Sequence, residues 1–135
     1  MNDELLPGIT AWNAGQFCEA ADRFEDVWVG EVGPQRDCLR GLIHAALGLH
    51  YAVATDVDAA VAKLAIAERL LAPFPDDFFG LDLDGLRSRV AAIRAHLEAL
   101  RGDRIASAGL PKGLLPRLSS VGPAKRDGSP GLATR

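Results

Sequence analysis

Residues 16–29, QFCEAADRFEDVWV, decide the fold class. Phe17, Ala20, Ala21, Phe24 and Trp28 recur at steps of three and four, which at 100° per residue lines them on one face of an α-helix. Glu19, Asp22 and Asp26 fall on the other side, as on a helix that meets water. Immediately before this run, Asn13-Ala14-Gly15 forms a turn cluster with glycine where a left-handed cap is needed. An earlier helix is therefore expected from about Asp3 to Trp12.

Downstream, Gly30 to Pro34 breaks the pattern, and a third helix is expected from about Gln35 to Ala54, apolar nearly all round and hence central. It carries a row of small residues, Gly41, Ala45, Gly48 and Ala52. Glycine inside a helix costs about 1 kcal/mol against alanine, so two of them imply close packing of another helix. A fourth helix is expected from about Asp56 to Ala72, with Val57, Val61, Leu64 and Leu71 facing the core and Pro73 ending it. After the Asp76-Asp77-Phe78-Phe79-Gly80 loop, a fifth begins near Asp82, with Leu86, Val90, Ile93, Leu97 and Leu100 on one stripe and Gly102 at its end. The fold class is all-α: a compact bundle of about five helices, built from helical hairpins.

The domain organisation follows from a change of composition. Residues 1–102 form the bundle, and 103–135 form a basic tail rich in Gly and Pro, unable to support a core of its own and expected to be flexible. By formal charge the tail is +4 and the body −7. With a net charge of −3, the molecule has no general attraction to a phosphate backbone, which leaves weak nucleic-acid binding only through the tail. The N-terminus has no apolar run of signal-peptide length, and no segment approaches the ~18 apolar residues that span a membrane, so a cytoplasmic location is expected. Cys18 and Cys38 are both read as reduced core thiols rather than a bridge.

A weak repeat has a period of 40: Gly8, Ala20, Phe24 and Val27 recur as Gly48, Ala60, Leu64 and Ala67. Leu47, Tyr51 and Pro73 stand near tetratricopeptide positions, so the first two helices are expected to echo the third and fourth.

Trp12-Asn13-Ala14-Gly15-Gln16-Phe17-Cys18-Glu19-Ala20-Ala21-Asp22, continuing to Trp28, resembles the signature of an uncharacterised family, domain of unknown function 309. That signature reads F-N-x-G-x-F-x-E-A-H-E-x-x-E-x-x-W. Arg40-Gly41-Leu42-Ile43-His44-Ala45-Ala46 with Leu49-His50-Tyr51 resembles its second block, and Gly80-Leu81-Asp82-Leu83 its third. The resemblance covers about residues 8–100 and implies a compact helical bundle of bacterial or archaeal type, with no established activity attached. Ala21 replaces the family's His, Asp22 its following Glu, and Arg40 and His44 its two Gln residues.

Three constellations could carry chemistry. Glu19, Asp22, Glu25 and Asp26 could share a cation, although only Glu25 lies near the edge of the buried stripe. His50 is expected between Leu39, Ile43 and Ala46 on an apolar sector, where a buried imidazole needs a partner; Glu25 and Glu68 are the candidates. Arg40, His44, Leu47 and Tyr51 form a row on the other side of the third helix, where Arg40 could grip a carboxylate or phosphate. No resident cofactor or catalytic metal is expected. His44 and His50, six residues apart, lie about 120° from one another by helical phase and cannot share an ion, and His96 sits far in sequence from the acids. The leading expectation is a binding or scaffolding module that self-associates as a dimer, through the small-residue row or other apolar surface. The alternative is a metal-dependent or acid/base enzyme using Glu19, Glu25 and His50.

Overall fold

A computed structural model describes residues 3–103, and every regular element among them is helical. A 3-10 turn at Asp3–Leu5 leads into α1 (Leu6–Asn13), followed by α2 (Phe17–Gly30), α3 (Pro34–Val53), α4 (Val57–Leu71) and α5 (Leu83–Asp103). The five expected helices are all present, most with ends shifted by a residue or so. The first begins later than its pattern suggests, because Pro7 belongs in the first turn of a helix and the chain before it tightens into the 3-10 turn. α5 runs through Gly102 to Asp103. The expectation of a flexible tail concerns residues that, Asp103 apart, lie outside those described.

Local chemistry sets the boundaries. Gly15 and Gly33 adopt φ of +81° and +74° at the turns before α2 and α3. Asp56 caps α4 by accepting a hydrogen bond from the Ala59 N–H at 3.3 Å, and Asp82 does the same for α5 from Gly85 at 3.0 Å. Arg87 ties the end of α4 to α5, donating to the carbonyls of Leu71 (3.1 Å) and Phe74 (2.8 Å) and pairing with Asp76 (2.6 Å).

Each helix packs chiefly on its neighbour in sequence, giving a succession of antiparallel hairpins with α3 against both α2 and α4. Trp12, Phe24, Leu39, Leu42, Leu49, Leu64, Leu81 and Ile93 fill a single core, with Trp12 set edge-on to Phe17 at 5.7 Å.

The period of 40 has a physical counterpart. A Cβ added to Gly8 would lie 2.5 Å from the Phe24 ring, and one added to Gly48 would lie 2.6 Å from Leu64. The two glycines are thus equivalent seats for a large side chain sixteen residues further on, and each hairpin closes in the same way. Gly41 receives Leu71 similarly, at 2.7 Å. The small-residue row of α3 is therefore filled by α4 of the same chain. The reading of this row as a dimer contact is corrected: the close approach that two interior glycines require is made within the chain.

Candidate functional site

Of the acidic set on α2, Glu19, Asp22, Glu25 and Asp26 are all exposed. Glu19 pairs with Arg23 one turn on, at 3.1 Å. Glu25, expected at the inward edge, faces water because the buried arc of α2 spans only Phe17, Ala20, Ala21 and Phe24. An open groove of about 410 Å³ runs between α1 and α2, lined by Leu6, Thr10, Gln16, Glu19 and Arg23 among others, and the Arg23–Glu19 pair satisfies its own charges.

His50 is exposed, which corrects its assignment to the core. α3 has 20 residues and α2 only 14, so at 1.5 Å per residue α3 is about 9 Å longer. The last turn of α3 accordingly extends beyond α2, and the His50 imidazole lies against Tyr51, ring centroids 5.4 Å apart. No pairing of His50 with Glu25 or Glu68 is formed. Glu68 turns to α5, where Arg94 holds both its oxygens: Nε to Oε2, and Nη2 to Oε1 at 3.3 Å. Arg94 also reaches Glu98 at 3.0 Å, and its hydrogen bond with Glu68 leads the causes that raise the guanidinium's pKa further. Cys18 is exposed rather than in the core; Cys38 is buried, and both thiols are free. Burial pushes the Cys38 thiol up to about 12, against a smaller opposing effect of Arg87.

The row Arg40, His44, Leu47 and Tyr51 does share one face of α3. Arg40 is exposed, and the other three are half-buried. The His44 Nδ1, like the Trp28 Nε1, is buried without a hydrogen-bond partner among the described residues. Burial lowers the pKa of His44 first, and the nearby charges of Lys63 and Arg40 lower it further. Lys63 belongs to α4 and was not marked by the sequence reading. Nor were Ile66 and Leu70, half-buried at three and seven residues beyond it and therefore on the same face. Their spacing was a usable signal, since α4 has apolar residues on two sides. The sequence reading also missed Arg36, whose guanidinium lies 3.9 Å above the Trp28 ring while donating to the carbonyls of Trp28 (3.0 Å) and Glu31 (3.3 Å).

Among the described residues no three His, Cys, Asp or Glu side chains are grouped to hold one metal ion, and no helix is long and apolar enough to cross a membrane.

With this geometry in view, residues 5–62 match the family model of domain of unknown function 309, taking in the first two sequence blocks and ending before the third. The family resemblance is borne out. An uncharacterised protein of Aquifex aeolicus (strain VF5) is 35% identical over 97 residues, which is 70% of this chain and 26% of that protein. The chain thus spans about a quarter of the length of this relative. The domain 309 match covers α1 to α3 and the first turns of α4, including Arg40, His44 and Tyr51, whereas Lys63, Ile66 and Leu70 follow just beyond it.

Proposed function

We propose that this chain is a cytoplasmic helical binding module without catalytic chemistry of its own, whose working surface is the outer face of α3 and α4. The observation that carries this reading is the cluster of Arg40, His44, Leu47 and Tyr51 beside Lys63, Ile66 and Leu70. It joins cationic and apolar side chains that make no ion pair among the described residues. Against the acid/base alternative, Glu19, Glu25 and His50 are all solvent-exposed, on two helices. Two unpaired thiols, one of them exposed, suit a reducing compartment.

The test compares partners recovered by the wild-type protein with those recovered by Ile66→Ser plus Leu70→Ser, and by Asp22→Asn plus Asp26→Asn on the exposed side of α2. Loss with the first variant and retention with the second is the expected result. A metal- or pH-dependent turnover abolished by Glu19→Gln, Glu25→Gln or His50→Ala would replace the proposal with the enzyme reading.

Self-association belongs to the same proposal, now through exposed apolar residues. Val29 in the last turn of α2 and Val32 in the α2–α3 turn are 68% and 78% exposed. Light scattering at monomer mass across micromolar concentrations would remove it.

A further inference from the structure

The α3–α4 face is cationic on a molecule whose body is acidic. Residues 1–102 carry sixteen carboxylates against nine Lys and Arg. Even so, among the described residues no carboxylate pairs with Arg40 or Lys63. Asp37, one turn before Arg40 on α3, is exposed and makes no ion pair with it.

The geometry brings two rows together. At 100° per residue, Arg40, His44, Leu47 and Tyr51 lie within about 60° of arc on α3. On α4, Lys63, Ile66 and Leu70 lie roughly opposite Glu68, about 140–200° away by phase, and Glu68 faces Arg94 of α5. The α4 row is therefore turned away from α5. It also runs against the α3 row: the Leu70 Cβ lies only 3.3 Å from where a Gly41 Cβ would stand, next to Arg40. The result is a shallow two-helix surface with apolar side chains along it, cations at Arg40 and Lys63, and the His44 ring between.

Building on the proposed binding face, we infer that it takes an amphipathic helical segment of a partner protein bearing carboxylates. Arg40 and Lys63 hold its acidic side chains, His44 lies between them, and Leu47, Ile66 and Leu70 hold its apolar ones. An apolar helix stripe flanked by carboxylates matches this alternation, as helices laid into grooves do through anchors at i, i+3 and i+7. A nucleic acid fits less well, since two cations among aliphatic side chains offer no track for a phosphate chain and the acidic outer face of α2 repels one. Burial first, and then the charges of Lys63 and Arg40, lower the pKa of His44, with no carboxylate among the causes to oppose them.

The probe is a fluorescein-labelled helical peptide of roughly 16 residues, with Leu at i, i+3 and i+7 and Glu flanking them. A matched peptide carries Gln for Glu, and inorganic phosphate and a single-stranded oligouridine form further arms. Fluorescence anisotropy reads affinity, and NMR of the histidine rings reads the site. The expected result is binding of the Glu peptide, with the Gln peptide weaker by at least about tenfold, about 1.4 kcal/mol. Arg40→Ala plus Lys63→Ala should erase that difference, and His44 resonances should move on binding while those of His96 do not. Equal affinity for the two peptides overturns the carboxylate inference; if Ile66→Ser plus Leu70→Ser then abolishes both, the binding face itself stands. Binding of either peptide that none of the four substitutions alters, or no binding at all, overturns inference and face together. Oligouridine or phosphate competing at Arg40 and Lys63 more strongly than the Glu peptide overturns the choice of a protein partner.

Discussion

Replacing Gly48 by alanine sets two effects of known sign against each other. Alanine inside a helix is favoured over glycine by about 1 kcal/mol. The new Cβ, however, would lie 2.6 Å from Leu64 Cδ2, 2.7 Å from Cγ and 3.3 Å from the Leu64 backbone nitrogen. Leu64 is wholly buried, so it cannot swing into solvent, and α3 and α4 would have to separate. Overpacking of this kind costs about 1–3 kcal/mol, so Gly48→Ala should destabilise the protein by up to about 2 kcal/mol net. Leu64→Ala alone should cost about 2–5 kcal/mol through the cavity it leaves. In the Leu64→Ala background the clashing carbons are gone, and Gly48→Ala should become stabilising by about 1 kcal/mol. Urea unfolding followed by circular dichroism at constant m-value gives all four corners of the cycle, with an expected coupling of about 1–3 kcal/mol. Gly48→Ala stabilising the wild-type chain, or a coupling under about 0.5 kcal/mol, would refute the close-approach argument. The equivalent pair, Gly8 and Phe24, should give the same sign if the two hairpins close alike.

Thiol reagents should label Cys18 rapidly and Cys38 only on unfolding. The folded chain keeps the Cys38 proton that the unfolded chain releases above about pH 9, so stability should fall by about 1.4 kcal/mol per unit from there towards pH 12, and Cys38→Ala should flatten that limb. His44 has the opposite arrangement: its folded pKa is lowered, so the unfolded chain takes up the proton first and stability drops as pH falls through about 6.5 to the lowered value. Thermal scans from pH 7.5 to 5 should show this slope in the wild type and a shallower one in His44→Gln. Thr55, a β-branched residue at φ +63° between α3 and α4, should be relieved by Thr55→Asn, raising stability by about 1 kcal/mol in the same urea assay.

The sequence by itself determined the five helices, because the signals that make them are local. The steps of three and four from Phe17 to Trp28, the turn at Asn13-Ala14-Gly15, the Gly33-Pro34 start, the Asp56 cap and Pro73 each act within a turn or two of chain. Even the repeat was legible, since Gly8 with Phe24 and Gly48 with Leu64 preserve one spacing. What only the tertiary structure decided is which part of each helix ends up covered. His50 lies in an apolar arc by phase yet stands in water on the turn of α3 that extends beyond α2; Glu25 and Cys18 fall outside the narrow buried arc of α2. The Glu68–Arg94 pair joins residues 26 apart, and the small-residue row of α3 is met by α4. Lys63 became part of the Arg40–His44 face only when α4 lay against α3. A residue's angle on its helix follows from its position in the chain, whereas its burial and its partners depend on the lengths and placement of the neighbouring helices, which no local pattern specifies.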